Sequence, residues 1–372
     1  MKIAPILREM RRYPAIFRPI LVHSGQHYHY EMSRVFFKNL ELPEPDICLE
    51  IGSGTHAEQT GKVMIEFEKV LIREKPDLVV VVGDVNSTLA AALSAVKLHI
   101  PVAHVEAGLR SWDRGMPEEI NRVLTDAIAD YLFTPSLDAY ENLRKEGIPE
   151  ERIFFVGNVM VDSLLLSKEK AGKSDILARL GLITKDVSRA ADYALLTLHR
   201  PSNVDNKKAL KRILNALSEI QEKIKIVFPI HPRTRKKLRE FGLQSFLSNS
   251  GQWNPTIQSI NWETNSVIIT PPLAYLDFLK LEMKARFIMT DSGGIQEEAT
   301  VLGVPCLTLR ETTERPVTVT QGTNVVVGND RNRIVKEALK ILGGKRKRGK
   351  CPQFWDGRSA ERIVEILREQ SE

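Results

Sequence analysis

Short apolar runs alternate along this chain with stretches of helical periodicity. IFRPILVHSG (16–25), PDLVVVVGD (76–84), PVAHVEAG (101–108) and YLFTPS (131–136) read as strands, and HAEQTGKVMIEFEKVLIREK and STLAAALSAVKLH between them read as helices. Strands that are apolar on both faces and separated by helices predict a parallel sheet covered on both sides. A second series begins near Tyr193 with YALLTLHR and continues through IKIVFPIH, SVIITPP, ARFIMTDSGG and PCLTLRE. The pattern therefore predicts an α/β protein with two doubly wound, Rossmann-like domains facing a central cleft. The first spans 1–160 and regains the amphipathic stretch 356–372, GRSAERIVEILREQ and its flanks. The second spans 161–355, entered through a charged helical connection over 159–192.

The opening breaks the pattern. A doubly wound domain starts with a strand, a tight turn and a helix, whereas this chain starts directly in the helical stretch IAPILREMRRY. The first strand is missing from the sequence. Because that strand is central in the common order, unpaired edges are expected inside the first sheet.

Composition adds little to the fold and excludes several functions. The 372 residues are 42% hydrophobic and 27% charged, as in soluble globular proteins. No apolar run approaches the ~18 residues of a membrane helix, and no signal-peptide pattern is present. With three scattered cysteines, Cys48, Cys306 and Cys351, the chain reads as cytoplasmic and free of a metal set. The net charge of +6 is partly local, in GGKRKRGK (343–350). That run lacks interleaved aromatics, so it reads as a solvated loop rather than a nucleic-acid surface. Neither GxxxxGK[ST] nor GxGxxG occurs, which argues against ATP hydrolysis and dehydrogenation.

In open α/β sheets, ligands sit outside the carboxyl ends of the strands. In the first domain that edge carries Asp84, His104 and Glu106 in AHVEAGLR, and Glu118-Glu119 in MPEEINR. In the second it carries His199-Arg200, His231, the segment TDSGGIQEEAT and the run from Arg310 to Arg315. Each has a bland alternative. Asp84 fits an N-cap for the next helix, Glu118 and Glu119 fit a helix first turn after Pro117, and a lone histidine is commonly structural. TDSGGIQEEAT is the most informative stretch. A buried strand runs into a helix that Asp291 or Ser292 can cap, and Gly293-Gly294 lets a ligand approach the backbone, the layout of an anion site. Two carboxylates, Glu297 and Glu298, do not suit a bare phosphate there.

GDVNSTLAAALSAVKLHIPVAHVEAGLR, MPEEINR, HRPSNVDN and TDSGGIQEEATVLGVPCLTLRETTERP together resemble the non-hydrolysing UDP-N-acetylglucosamine 2-epimerases, over essentially the whole chain. The resemblance implies a GT-B-like fold and the interconversion of UDP-N-acetylglucosamine and UDP-N-acetylmannosamine. It further implies no cofactor, no nucleic-acid or membrane partner, and a homodimer. It assigns Ser292, Gly293 and Gly294 to the diphosphate and Glu298 to the ribose hydroxyls, with Arg315 near the phosphates and Glu297 a solvated neighbour. Six residues of helix rise ~9 Å, about the span from diphosphate to ribose. Asp84, Glu106, Glu118 and His199 match the family's catalytic set, Arg200 serves the leaving group and His231 contacts the nucleotide.

Two departures qualify the match. The family opens with a strand and a Gly-Thr-Arg-Pro-Glu loop followed by a lysine. Here Lys2 falls where that lysine stands, so the expectation is a start placed about a dozen codons late or a degenerate copy. The segment SGQHYHYEMSRVFF keeps Gln26 but not the rest of the element through which some members are activated by a second substrate molecule. The competing readings are a hydrolysing relative that releases N-acetylmannosamine and UDP, and an inactive sugar-nucleotide-binding copy.

Overall fold

The computed structural model describes residues 1–25, 43–183, 192–243 and 267–370. The chain divides into two compact units, Met1–Leu166 with Gln353–Glu372, and Ser167–Pro352.

In the first unit, β3 (Val79–Val82), β4 (Val102–Val105), β5 (Tyr131–Thr134) and β6 (Ile153–Phe155) form a parallel sheet in sequence order. Side chains alternate between two cores, as the pleat requires. Val79, Val81, Val102 and Leu132 pack under the helices His56–Glu74 and Asn86–Lys97. Ala103, Val105 and Phe133 face the other way, onto Ile6 and Met10 of helix Ile3–Met10 and onto Ala360, Ile363, Val364 and Leu367 of helix Ser359–Glu369. The amphipathic end of the chain thus completes the second face of this sheet. Trp355 fastens it by donating its indole N–H to the Pro135 carbonyl at 2.8 Å.

Among the described residues β1 (Val22–His23) and β2 (Ile47–Cys48) pair only with each other. Strand 16–25 is therefore much shorter than its apolar pattern predicts. Pro19 offers no N–H, and among the described residues no strand lies on the outer edge of β1 or of β3. Among the described residues the strands of the first unit fall into two separate sheets, β1–β2 and β3–β6, where an interruption is expected. The activation element expected near Gln26 lies outside the described residues.

In the second unit six parallel strands run in the order β12–β11–β10–β7–β8–β9. They are β7 (Tyr193–Thr197), β8 (Lys225–Pro229), β9 (Val267–Thr270), β10 (Phe287–Thr290), β11 (Cys306–Thr308) and β12 (Asn324–Val326). Ala194, Leu196, Ile226, Phe228, Phe287 and Met289 pack on one face with the helices Lys207–Ile220 and Arg331–Leu342. Tyr193, Leu195, Val227, Ile288 and Cys306 pack on the other. Strand order reverses between β7 and β10, and this is where a crevice opens in such sheets. Both units are doubly wound, as the hydrophobic pattern predicts. The pattern missed β2, β6 and β12, which are two or three residues long. No helix among the described residues is long and apolar enough to cross a membrane.

Candidate functional site

At the carboxyl edge of the first sheet, β3 ends in Gly83-Asp84 and β4 ends in Glu106. Glu106 is nearly buried and holds a left-handed backbone, φ +70°. That conformation costs a non-glycine residue on the order of 1–3 kcal/mol, and such strain concentrates at functional sites. Its carboxylate pairs with the Lys2 ammonium. A Cβ placed on Gly83 would stand 3.2 Å from Lys2 Nζ and 3.5 Å from Glu106 Oε2, so Lys2, the β3 turn and Glu106 share one spot.

Asp84 is no helix cap. Val85 occupies the N-cap of helix Asn86–Lys97, and the Asp84 carboxylate instead accepts from Arg122 Nη2 at 2.8 Å. Asn121 Nδ2 donates to the Asp84 carbonyl at 2.9 Å. Asn121 and Arg122 lie three and four residues after Glu118 on helix Pro117–Ile128, hence on the same helical face. The helix that holds Asp84 therefore carries Glu118 one turn closer to its N-terminus. Glu119 turns the other way. It is buried, and its carboxylate accepts from the backbone N–H groups of Ser111 and Trp112, at 3.0 and 2.8 Å, and pairs with Arg122 at 2.9 Å. The two adjacent glutamates thus separate into a half-buried one and an anchor for the preceding loop.

Beneath these turns lies a network the sequence did not announce. His104 Nε2 donates to the Gly83 carbonyl at 2.8 Å, and Nδ1 meets Asp126 Oδ1 at 2.6 Å. Asp126 also accepts from Arg110 Nη1 at 2.7 Å and from the Gly108 N–H at 3.0 Å. Arg110 in turn grips Glu146 through two hydrogen bonds. Burial alone would raise the Asp126 carboxyl, but the His104 ring and the Arg110 guanidinium outweigh it and hold it below its ordinary value. One buried carboxylate thereby ties the turn carrying Asp84 to the turn carrying Glu106.

In the second unit, β7 leads to His199-Arg200 and its parallel neighbour β10 leads to Asp291-Ser292. Ser292 is the N-cap of helix Gly293–Leu302 and makes no side-chain cap. Asp291 does not cap this helix either. Fully buried, it accepts from the backbone N–H groups of His199 and Arg200, at 3.1 and 2.9 Å, and from Asn203 Nδ2 at 3.2 Å. Its Oδ1 also lies 3.0 Å from His199 Nδ1, which fixes that ring. Burial would raise Asp291, but His199 and the backbone donors hold it low. His231 lies 5.7 Å from His199, ring to ring, and its Nδ1 accepts from the Arg233 N–H as the N-cap of helix Pro232–Glu240. Burial, then the neighbouring His199, lowers the His231 pKa.

The helix tip is surrounded by arginine and carboxylate. Glu314 pairs with Arg310 Nη1 at 2.6 Å and with Arg200 Nη2 at 3.6 Å, and a Cβ on Gly293 would meet Glu314 Oε1 at 2.6 Å. Against the effect of burial, Arg315, Arg310 and Arg200 hold Glu314 at about 2. Arg315 Nε meets Glu297 Oε1 at 2.6 Å, and both side chains are buried. Glu297 is thus not a solvated neighbour: the helix turns it into the protein, where it fixes Arg315. Glu298, also buried, accepts from the Tyr275 hydroxyl at 2.8 Å.

The first unit thus gathers Lys2, Asp84, Glu106 and Glu118 at one sheet edge. The second gathers His199, Arg200, His231, Ser292, Gly293, Gly294 and Arg315 around its switch point, with Glu298 further along the helix. The sequence reading missed Arg122, Asp126 and Tyr275, and of its two cap candidates, Asp291 and Ser292, it is Ser292 that stands at the N-cap. Only the position of Asp291 directly after a strand could have flagged it.

Comparison with known proteins places this geometry. The profile of the family described as UDP-N-acetylglucosamine 2-epimerase matches residues 8–368. A UDP-N-acetylglucosamine 2-epimerase of Methanocaldococcus jannaschii is 49% identical over 370 residues, 99% of this chain and 95% of that one. A UDP-2,3-diacetamido-2,3-dideoxy-D-glucuronate 2-epimerase of Pseudomonas aeruginosa is 41% identical over 351 residues, 94% of this chain and 90% of that one. The crystal structure of the M. jannaschii UDP-GlcNAc 2-epimerase in complex with UDP-GlcNAc and UDP aligns with a TM-score of 0.86 at 49% identity, covering 98% of this chain and 95% of that one. Matched along nearly its whole length in sequence and structure, the chain belongs to the UDP-N-acetylglucosamine 2-epimerase family.

Proposed function

We propose that this protein interconverts UDP-N-acetylglucosamine and UDP-N-acetylmannosamine by reversible elimination and re-addition of UDP. The C2–H of the sugar is too weakly acidic to be removed alone. Breaking the C1–O bond develops positive charge at C1 and acidifies C2. A carboxylate takes the C2 proton, the bonding pair closes the C1–C2 double bond of a 2-acetamidoglucal, and the C1–O pair leaves with UDP. In the second half a proton is delivered to the other face of C2, and a diphosphate oxygen re-forms the bond to C1. No net proton, electron or water is consumed.

The residues supply what each half needs. Asp84, Glu106 and Glu118 carry the proton traffic and stabilise the cationic carbon. Arg122 pairs with Asp84 and Lys2 with Glu106, which holds the two carboxylates in place. Ser292, Gly293 and Gly294 hold the diphosphate at a helix N-terminus, and Arg315, Arg200, His199 and His231 serve its departing charge. Glu298 accepts from the ribose hydroxyls. The observation that most supports the reading is the gathering of the carboxylates on the turns after β3 and β4 and on the first turn of helix Pro117–Ile128. The left-handed backbone of Glu106 is the strongest single sign.

The test is incubation with UDP-N-acetylglucosamine in deuterated water, followed by NMR and mass spectrometry. Both UDP sugars should appear, with deuterium at C2. Free N-acetylmannosamine would turn the reading toward hydrolysis, and unlabelled, unchanged substrate would overturn catalysis. A parallel arm with a UDP-2,3-diacetamido uronic acid distinguishes the substrate of the Pseudomonas relative. We also propose a homodimer, on the family resemblance alone. A single species of monomer mass in sedimentation velocity would refute it.

A further inference from the structure

Helix Tyr275–Lys284 buries a stripe formed by Tyr275, Leu279 and Glu282, spaced by four and three residues. A carboxylate therefore occupies a position where the pattern calls for a hydrophobe. Glu282 is fully buried, and among the described residues neither of its oxygens has a hydrogen-bond donor. Its carboxyl group instead lies against that of Glu298, whose Oε1 accepts the Tyr275 hydroxyl at 2.8 Å. Among the described residues the other titratable groups that act on this spot are Tyr275 on the same helix, Tyr193 from β7 and Cys306 from β11, none of them a cation. Tyr193 spends its hydroxyl on the Leu281 carbonyl. Two buried carboxylates in contact, with no cation beside them among the described residues, cannot both be ionised at tolerable cost.

We infer that Glu282 is a positioning residue of the nucleotide site: its carboxyl group stays protonated in the folded protein and donates to Glu298, so that the pair carries one negative charge. Resting on the assignment of Glu298 to the ribose, this fixes the oxygens that meet the two hydroxyls of a nucleoside. Burial, then the Glu298 charge, raises Glu282 well above the usual carboxylate range. Burial also lifts Glu298, to about 7, against the hydrogen bonds from Tyr275 and Glu282.

The consequence for stability has a definite sign. A folded-state pKa raised above the unfolded value gives stability that is complete below the unfolded carboxylate value of about 4.3. That stability is lost as pH rises toward the folded value. Glu282→Gln keeps a neutral donor and removes the titration. Thermal unfolding of the full chain should therefore show E282Q gaining on the parent by roughly 3–5 °C per pH unit from about pH 5 to pH 8. Calorimetric titration with UDP near pH 8 completes the test. E282Q should bind within about twofold of the parent, and Glu282→Leu should lose about tenfold or more, as expected for a lost hydrogen bond to a charged group. Glu282→Met replaces E282L if the latter does not fold.

Parallel pH profiles for E282Q and the parent would overturn the shared proton, whatever the enzyme does. A widening gap with unchanged UDP affinity in E282L would overturn the positioning role. If the parent itself fails to bind UDP, the ribose assignment of Glu298 falls and the positioning role falls with it, while the pH profiles still report the proton.

Discussion

Replacing Asp126 with asparagine should damage stability and turnover together. The Asp126 carboxylate lies among His104 Nδ1 at 2.6 Å, Arg110 Nη1 at 2.7 Å and the Gly108 N–H at 3.0 Å, fully enclosed. Removing one member of a buried charge pair costs about 3–5 kcal/mol. Arg110 keeps its two bonds to Glu146, so the lower end applies, about 3 kcal/mol, or a fall of about 6–12 °C in the transition of the first unit. Calorimetry at neutral pH measures this. The Asp126 carboxyl is held low in the folded state, so its stabilisation is present above the unfolded value of about 3.9 and is lost as pH falls toward the folded one. The gap between parent and variant should therefore close in acid below about pH 4. Turnover should fall more than the fraction of unfolded protein explains. The Gly83 carbonyl and the Gly108 N–H lose a common anchor, and with it the turns that carry Asp84 and Glu106. A variant that loses less than about 1 kcal/mol, or that keeps parental kcat, would refute the reasoning.

Other substitutions separate chemistry from scaffolding. Glu118→Gln should keep the parental Tm within about 2 °C and lose at least about a hundredfold in kcat, whereas Glu119→Ala should lose about 2–4 kcal/mol by freeing the Ser111–Trp112 loop, both read by calorimetry and the epimerisation assay. Asp291→Asn should lower kcat about tenfold or more, because the His199 ring and the His199-Arg200 backbone lose their shared acceptor; chemical-shift change at His199 would report the release. Gly157→Ala should destabilise the first unit by about 3 kcal/mol or more in denaturant unfolding. Gly157 sits at φ +90°, and a methyl there would meet the Phe354 carbonyl at 2.1 Å, displacing the segment that Trp355 fastens.

The sequence by itself determined the strands other than β2, β6 and β12, and the sheet edges where the chemistry gathers. A run such as FIMT is buried on both faces, so its hydrophobicity alone specifies a central parallel strand. Polar residues directly after it fall at one sheet edge by connectivity. GDVNS, AHVEAGLR and TDSGGIQEE could be read as site segments for that reason, and their joint pattern as a family. What the tertiary structure decided was the task of each polar side chain. Glu118 and Glu119, and likewise Glu297 and Glu298, are adjacent in sequence but about 100° apart around a helix. One of the first pair anchors a loop, and one of the second holds an arginine. Asp291 turned from a helix cap into the acceptor for the β7 turn, and Glu282 entered a hydrophobic stripe. A carboxylate's role is set by the donors that reach it, and those donors come from elements tens of residues away, so no local pattern records them.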